Sequence, residues 1–297
     1  DEAPEVPETW IPHIAKMKNA AKAVSAASND NIGEAVAQLA MTCGSCHAAT
    51  GGGPLDEVRE LFGRHQISVV LIDEGEVPPN LDLVVALGGD GTVLRALDRF
   101  PRCPVLAINF GTVGFLTAGD RTDLDKIVQL LVDGRYIVSE RLVLNCRYPG
   151  GAVYVVNEVM VRASYKLVFT DVFVDDAEIR TITGDGVIVG TPTGSTGHLL
   201  STGAPIVVPD VRCMILDGIN EYNFSSRALI LPPSAKIRLY ISEETRDENV
   251  SLVVDGRHLG QLLPGQEVHI DQAEHRARLI YLDRDYFFRN LSSKLSW

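Results

Sequence analysis

The chain has 297 residues, of which 45% are hydrophobic and 22% are charged, and its formal net charge is −12 at pH 7. This composition is typical of a folded protein that is long enough for two ordinary domains. The negative charge argues against binding to nucleic acid, which needs a basic surface, and no apolar run reaches the roughly 18 residues of a membrane-spanning helix. The five cysteines are an odd and sparse set, which gives no disulfide framework. Since residue 1 is Asp, we expect a processed or trimmed amino terminus.

Residues 1–53 differ in composition from the rest of the chain. Alanine and lysine recur at helical spacing, which predicts a short α-helical segment. The segment also contains Cys43-Gly44-Ser45-Cys46-His47, the pattern of covalent haem c attachment, in which Cys43 and Cys46 would bind the vinyl groups and His47 the iron. It therefore resembles a fragment of a c-type cytochrome. Half of a zinc site, or a chance helix end with two thiols, are the alternatives.

A glycine run before Pro54 marks the best candidate domain boundary, and helix and strand patterns alternate after it. The predicted elements are a helix over Leu55–His65, strands over Ile67–Ile72 and Leu81–Leu87, a helix over Thr92–Phe100, and a strand over Val105–Asn109. This alternation predicts an α/β nucleotide-binding domain over residues 54–136, with ligands at the carboxyl ends of its parallel strands.

Residues 137–274 have the pattern of an all-β domain, because short apolar runs are separated by turn residues. The predicted strands are Arg141–Tyr148, Val153–Val161, Leu167–Val174, Gly186–Val189, Ala228–Leu231, Lys236–Ile241, Val250–Val254 and Glu267–Ile270. The tail, residues 275–297, ends in an aromatic and basic run with a helix-like pattern. We expect this tail to return to the α/β domain.

The glycine-rich turn Gly88-Gly89-Asp90-Gly91-Thr92 follows a predicted strand and precedes a predicted helix. Its glycines allow the backbone to approach phosphate oxygens, and the helix presents unpaired N–H groups there. Asp90 is suited to accept a proton from a substrate hydroxyl or to lie near Mg²⁺. A plain strand-to-helix turn is the alternative.

Two further motifs point to a polar ligand. The run from Thr191 to Thr196 consists of small, hydroxyl-bearing or turn-forming residues, which cannot fill a core but can present N–H and hydroxyl groups. The pair Asn157-Glu158 lies in a strand-like segment, where burial of both side chains is costly without partners. An amide beside a carboxylate can bind a base or a ribose, and an exposed edge strand is the alternative.

Together these motifs strongly resemble the NAD kinase family over about residues 55–297. The matching segments are Leu87–Thr92, Asn157-Glu158, Asp185–Thr196, Leu200–Val207 and Val254-Asp255-Gly256. The Gly-Gly-Asp-Gly turn is shared with diacylglycerol, sphingosine and phosphofructokinase-type kinases, whereas the loop from Thr191 to Thr196 distinguishes the NAD kinases. The resemblance implies a Rossmann-like three-layer α/β kinase domain followed by an all-β NAD-binding domain, with the short α-helical segment in front.

The resemblance also implies the reaction, which is transfer of the γ-phosphoryl group of ATP, or of polyphosphate, to the 2′-hydroxyl of the NAD adenosine ribose. Asp90 would be the proton acceptor, and Asn157 and Glu158 would hold ribose and adenine groups. The other nucleotide-binding residues implied are Gly88, Gly89, Gly91, Thr92, Lys166, Thr183, Asp185, Thr193, Ser195, Thr196, Gly197, His198, Leu199, Leu200 and Ser201. Mg²⁺ or another divalent cation would bridge the ATP phosphates, and no dedicated protein metal site is expected.

The sequence departs from the family in three places. Gly197-His198 stands where the family usually has Ala-Tyr, residues 217–227 replace a segment that contains Pro-His, and residues 1–53 occupy the place of the family's first strand. Haem c is attached outside the bacterial cytoplasm, whereas NAD and ATP are inside it. We therefore expect a cytoplasmic kinase with a foreign or fused amino-terminal segment. The resemblance implies that this kinase is a homo-oligomer, a dimer or tetramer. A haem-bearing electron-transfer or sensor protein and a diacylglycerol- or sphingosine-type lipid kinase stay open as alternatives.

Overall fold

The computed structural model describes residues 54–70, 72, 80–110, 114–163, 165–222, 227–246 and 249–295. The expected haem-attachment residues Cys43, Cys46 and His47, and the expected helices of residues 1–53, lie outside these ranges. The chain divides into two compact units, Asp1–Val77 and Pro78–Trp297. Within the described ranges, no helix combines the length and the apolar character needed to cross a membrane.

In the first unit, helix α1 spans Pro54–Arg64, so the predicted helix is confirmed to within one residue at each end. A proline at the first helical position is favoured because its missing N–H has no partner there in any case. Val58, Leu61 and Phe62 form the buried face at the spacing of an amphipathic helix, with 5%, 8% and 2% of their surface exposed.

The strand predicted over Ile67–Ile72 is wrong for its described residues, which form no strand. The backbone N–H of Ile67 instead donates to the carbonyl of Phe62 at 3.2 Å, as the chain turns at the end of α1. Ile67 and Val70 are 36% and 57% exposed. A run of β-branched residues becomes a strand only where a neighbouring strand pairs with it, and no described residue pairs with this run.

The second unit holds the other described elements. Its helices are α2 (Asp90–Arg99), α3 (Leu124–Val132) and α4 (Tyr286–Leu295). Its strands are β1 (Val84–Leu87), β2 (Val105–Asn109), β3 (Gly119–Asp120), β4 (Ile137–Arg141), β5 (Leu144–Tyr148), β6 (Gly151–Val155), β7 (Glu158–Arg162), β8 (Val168–Val174), β9 (Ala177–Gly184), β10 (Gly186–Gly190), β11 (Met214–Ile219), β12 (Leu229–Leu231), β13 (Ile237–Ile241), β14 (Val250–Val254), β15 (Arg257–Leu262), β16 (Glu267–Gln272) and β17 (Ala277–Tyr281).

These strands form three sheets. The mixed sheet has the order β1-β2-β17-β4, and β3 pairs with the carboxyl end of β2. Its β1, β2 and β17 are parallel, whereas β4 is antiparallel to β17. The first antiparallel sheet has the order β12-β11-β10-β7-β14-β15, and the second has the order β6-β5-β16-β13-β8-β9. The expected α/β fold with an all-β part is thereby confirmed.

The main core of the second unit is formed by alternate residues of the two antiparallel sheets. Val159 and Val161 of β7 belong to this core, as do Val187 and Val189 of β10, and all four are fully buried. The opposite face of the first antiparallel sheet is also covered, since Ile188 of β10 packs in a second apolar cluster. Burial on both faces explains why β10 is apolar throughout instead of alternating.

Two predicted strands are each two strands, separated at functionally interesting points. The run Arg141–Tyr148 passes from the mixed sheet to the second antiparallel sheet after Arg141, because β4 pairs with β17 and β5 pairs with β16. The run Val153–Val161 is interrupted at Val156 and Asn157. The sequence pattern also missed β3, most of β4, β9, β11, β15, β17 and the helix α3. Strand β9 lies at a sheet edge where most of its residues are exposed or half-buried, so it lacks an apolar alternation.

Candidate active site

Asp90 is the first residue of α2, directly after the glycine-rich turn that follows β1. Its Oδ2 accepts the backbone N–H of Phe115, and its Oδ1 accepts the backbone N–H of Leu116, both at 2.8 Å. Two donors on one carboxylate fix its orientation and leave lone pairs available to a third donor. Asp90 is therefore a held, half-buried acceptor at the carboxyl end of a parallel strand, where ligands of α/β folds bind.

Close packing near Asp90 requires glycine at positions 88 and 114. A Cβ on Gly88, whose φ is +150°, would lie 2.5 Å from Oγ1 of Thr92, so Thr92 fills the space over this turn. A Cβ on Gly114 would lie 2.6 Å from Oδ1 of Asp90 itself. A Cβ on Gly91 would meet no atom within 4 Å, so Gly91 faces open space.

The second group is the pair Asn157-Glu158, at the interruption between β6 and β7. The carboxylate of Asp255 accepts three successive backbone N–H groups, from Val156 at 2.9 Å, from Asn157 at 2.7 Å and from Glu158 at 3.2 Å. These three bonds hold the interruption in place. The sequence analysis placed Asp255 in a segment that matches the family, Val254-Asp255-Gly256, but gave it no role of its own.

Glu158 is buried, with 5% of its surface exposed. Burial first, and the charge of Asp255 second, raise its pKa to about 7, whereas the backbone N–H of His198 acts in the opposite direction. Among the described residues, neither Oε2 of Glu158 nor Oδ1 of Asn157 has a hydrogen-bond partner. Two neighbouring buried acceptors without donors are uncommon, and they indicate a place where a ligand supplies the donors.

The loop from Thr191 to Thr196 is fastened to this pair. Thr191 donates its backbone N–H to the carbonyl of Asn157 at 2.9 Å, and its hydroxyl donates to the carbonyl of Val156 at 2.5 Å. The same hydroxyl accepts the backbone N–H groups of Thr193 and Gly194. A Cβ on Gly194 would lie 2.3 Å from the carbonyl oxygen of Asn157, so only glycine allows this approach.

Most hydroxyl groups of this loop bond within the protein. Ser195 is fully buried, donates to the carbonyl of Pro192 at 2.7 Å and accepts the N–H of Val207 at 3.0 Å. The hydroxyl of Thr196 donates to the carbonyl of Thr193 at 3.2 Å. These groups fix the shape of a short 3₁₀ turn, Thr193–Thr196, which we call the Thr193 turn.

A second 3₁₀ turn, His198–Thr202, follows directly after Gly197. Gly197, Leu200 and Ser201 are exposed, whereas Leu199 is fully buried in the apolar cluster on β10. A Cβ on Gly197 would lie 3.2 Å from the unpartnered Oε2 of Glu158. Gly197 is thus an exposed residue in close contact with that oxygen.

Three other predicted nucleotide-binding residues lie elsewhere. Asp185 precedes β10 and accepts the side-chain N–H of Asn220 at 2.8 Å. Thr183 is the next-to-last residue of β9, and Lys166 is exposed and donates to the carbonyl of Arg246 at 3.4 Å. Since Asp185 and Thr191 flank opposite ends of β10, they are separated by roughly 20 Å. Asp185 and Thr191 therefore lie at opposite ends of β10 and not in one cluster.

Phe115 and Leu116, whose N–H groups bond to Asp90, form what we call the Asp90 segment. A cavity of about 580 Å³ begins at the next residue, Thr117. Its walls include Asn290 and Lys294, one helical turn apart on α4, and the side-chain amide of Asn290 donates to the carbonyl of Phe115 at 3.0 Å. Burial lowers the pKa of Lys294, whereas the charges of Asp90 and Asp120 act in the opposite direction. Basic side chains at this cavity are Lys126, Arg135, Arg289 and Lys294.

No group of three or more His, Cys, Asp or Glu side chains that could hold a metal ion occurs among the described residues. In phosphoryl-transfer sites, Mg²⁺ is held by one or two carboxylates together with substrate phosphates and water.

Two models of one protein family match parts of this chain. Residues 59–136 match the model of the ATP-NAD kinase N-terminal domain, and residues 156–282 match that of the ATP-NAD kinase C-terminal domain. Among curated relatives, an NAD kinase of Caldicellulosiruptor bescii is 31% identical over 81% of this chain and 93% of its own. An NAD kinase of Citrifermentans bemidjiense is 35% identical over 75% of this chain and 80% of its own.

Solved structures are similar as well. An NAD kinase from Archaeoglobus fulgidus in complex with ATP superposes with a TM-score of 0.70 and 29% identity, covering 82% of this chain and 95% of that one. Yeast NADH kinase complexed with NADH superposes with a TM-score of 0.69 and 31% identity, covering 73% of this chain and 66% of that one.

Proposed function

The chain belongs to the NAD kinase family, and from this premise we propose that it transfers the γ-phosphoryl group of ATP to the 2′-hydroxyl of the NAD adenosine ribose. The observation that carries this reaction is the held carboxylate of Asp90, which two backbone N–H groups orient at the start of α2. Phosphoryl transfer needs an oriented acceptor for the proton of the attacking hydroxyl, and Asp90 supplies one.

In this reaction the proton of the ribose 2′-hydroxyl moves to the carboxylate of Asp90. The 2′-oxygen forms a bond to the γ-phosphorus, the bond to the oxygen between the β- and γ-phosphates breaks, and ADP leaves. Mg²⁺, or another divalent cation, enters with ATP and neutralises charge on the phosphates when bound. Orientation of the hydroxyl against Asp90 is the contribution of the protein.

The NAD side of the site is proposed at Asn157 and Glu158. The two unpartnered acceptors, Oδ1 of Asn157 and Oε2 of Glu158, would accept hydrogen bonds from ribose hydroxyl or adenine amino groups. Gly197 lies above one of them, and the exposed residues Leu200 and Ser201 follow on the same turn. Lys166, Thr183 and Asp185 are proposed to contact more distant parts of the dinucleotide.

The phosphoryl donor is proposed at the cavity beside Asp90. Its volume is within the range of small-molecule sites, and Lys294 brings a positive charge toward Asp90 and Asp120. An ammonium group in this position would bind phosphate oxygens and stabilise charge that moves between them. Two backbone N–H groups already donate to the carboxylate of Asp90. The ammonium group of Lys294 can therefore bind phosphate without forming an ion pair with Asp90.

Location and assembly stay predictions. NAD and ATP are cytoplasmic metabolites, which favours a cytoplasmic enzyme, and the family resemblance favours a dimer or tetramer. The net charge of −12 gives no reason to expect nucleic acid as a partner. The haem-attachment pattern at Cys43, Cys46 and His47 remains a separate prediction about a segment outside the described residues.

The test is an assay of the purified full chain with NAD, ATP and Mg²⁺, with NADP measured by an NADP-specific dehydrogenase. We expect NADP that depends on ATP. Parallel reactions with polyphosphate and with NADH determine the donor and the acceptor, and a diacylglycerol reaction tests the lipid-kinase alternative. Phosphorylation of diacylglycerol without formation of NADP would contradict the proposal.

A further inference from the structure

Arg141, the last residue of β4, is a buried cation with 2% of its surface exposed. Among the described residues, no carboxylate forms an ion pair with it, and its hydrogen-bond acceptors are neutral hydroxyl groups. They are Ser139 at 3.1 Å, Thr193 at 3.3 Å, Tyr281 at 3.0 Å and Tyr286 at 2.8 Å. A buried charge without an opposite charge is costly, so a role in packing alone does not account for arginine at this position.

These four acceptors come from different parts of the second unit. Ser139 lies on β4, Tyr281 on β17, Tyr286 on α4, and Thr193 in the Thr193 turn. The guanidinium group uses a separate nitrogen for Ser139, for Thr193 and for the two tyrosines. Its planar fork can serve several directions at once, which the ammonium group of lysine does with less geometric definition.

Tyr281 continues the network to the segment that holds Asp90. Its hydroxyl donates to the carbonyl of Leu116 at 3.3 Å, and the N–H of Leu116 donates to Asp90 at 2.8 Å. Burial raises the pKa of the Tyr281 hydroxyl, so it stays protonated and able to donate. A chain of hydrogen bonds therefore joins Asp90 to Arg141.

Arg141 is thus bonded on one side to the Thr193 turn and on the other, through Tyr281, to the Asp90 segment. We propose that Arg141 is a positioning residue, which fixes the distance between the proposed proton acceptor and the loop that contacts Asn157. This inference rests on the proposed function, because that distance matters only if the loop and Asp90 serve the same reaction. A small displacement between reacting groups lowers the rate far more than it lowers affinity.

Two tyrosines provide a matched test. Tyr281 and Tyr286 stack with ring centroids 3.5 Å apart, and both accept a hydrogen bond from the same nitrogen of Arg141. Of the two, Tyr281 bonds to Leu116. Tyr281→Phe therefore breaks the path to Asp90, whereas Tyr286→Phe removes a similar hydroxyl and leaves that path intact.

We expect Tyr281→Phe to lower kcat roughly tenfold, with the KM for NAD within about twofold of the wild-type value. Tyr286→Phe should leave kcat within about twofold of the wild-type value. Both variants should lower Tm by similar amounts, since each loses two hydrogen bonds, one of them to Arg141. Arg141→Lys should lower kcat and also raise the KM for NAD, because it releases the Thr193 turn as well. The double variant Arg141→Lys/Tyr281→Phe should be no slower than Arg141→Lys, since both residues act on one path.

Equal kcat values for the two tyrosine variants, or additive losses in the double variant, would overturn the positioning role. If the wild type forms NADP in the same experiment, the proposed function still stands. A wild-type chain that forms no NADP would overturn the proposed function and this inference together. If Arg141→Lys fails to fold, the kcat values of the two tyrosine variants still test the positioning role by themselves.

Discussion

Glu158 donates its backbone N–H to Oδ1 of Asp255 at 3.2 Å, and the charge of Asp255 is the second cause, after burial, that raises the pKa of Glu158 to about 7. Asp255 thus fixes the backbone of the proposed NAD site and also changes the protonation of its carboxyl group. A carboxyl group that titrates near neutral pH can respond to both ligand and pH.

The first prediction concerns pH. The folded-state pKa of Glu158, about 7, is above the ordinary value of 4.5, so the folded protein binds the extra proton between these values. The contribution of Glu158 to the free energy of unfolding is therefore largest below 4.5 and is lost as pH rises through about 7, by at most about 3 kcal/mol. Urea unfolding across this range should show that the free energy of unfolding of the wild type falls with rising pH relative to that of Glu158→Gln, which cannot titrate at this position.

The same titration should affect NAD. The ionised carboxylate is the better acceptor for a ribose hydroxyl, so the KM for NAD should fall as pH rises through about 7. Glu158→Gln should have a higher KM that does not vary over this range. A pH-independent KM in the wild type would contradict a direct contact between Glu158 and NAD.

The second prediction concerns Asp90. Asp90→Asn keeps the size of the side chain but removes its ability to take a proton, so kcat should fall by a factor of roughly 100 to 10,000. Asp98→Asn is the matched control, because Asp98 lies on the same helix and forms an exposed ion pair with Arg257 at 2.7 Å. The control should retain wild-type kcat, and a loss that is equal in both variants would exclude a specific role for Asp90.

The third prediction separates two glycines. Gly194→Ala places a Cβ 2.3 Å from the carbonyl oxygen of Asn157, so the loop must shift. We expect the free energy of unfolding to fall by roughly 1–3 kcal/mol, and activity to fall as well. Gly91→Ala meets no atom within 4 Å, so its Tm should equal that of the wild type. Its KM for nucleotide should still rise, because the added methyl group enters the open space beside Asp90. Calorimetry and steady-state kinetics on both variants check this difference.

The fourth prediction concerns Lys294. Lys294→Met keeps the aliphatic length and removes the charge, so the KM for ATP should rise roughly tenfold, as expected for loss of a charge-assisted hydrogen bond. Lys294→Arg should retain most of the affinity. If ATP affinity is unchanged in the methionine variant and NAD affinity falls instead, the cavity beside Asp90 belongs to the dinucleotide.

The fifth prediction concerns the amino-terminal segment. Protein purified from the cytoplasm should have no Soret band that survives acid–acetone extraction, since haem c is attached elsewhere. A band that survives, and that disappears in a Cys43→Ala/Cys46→Ala variant, would establish haem attachment. The fragment 55–297 should be compared with the full chain for Tm and NADP formation, and equal values would show that residues 1–53 contribute nothing to the kinase.

Local features of the fold could be predicted because their causes are local. The Gly88–Thr92 turn and α2 follow from glycine conformations and from helix spacing, and β10 follows from its apolar run between glycines. The prediction over Ile67–Ile72 failed because a strand also needs a partner, which no pattern within the run reveals. Strand β9 was missed for the opposite reason, since pairing with β8 makes it a strand despite its polar sequence.

The sequence by itself determined the family, the residues of the Gly-Gly-Asp-Gly turn and the pair Asn157-Glu158, because the chemistry of each motif lies within a few consecutive residues. Only the tertiary structure decided what holds them. Asp255 reaches Val156 across 99 residues, and Arg141 reaches Tyr281 across 140 residues. Hydrogen bonds between such distant residues depend on how the strands pair and how the three sheets pack. A sequence pattern predicts that a residue is buried, but it does not predict which distant residue it contacts.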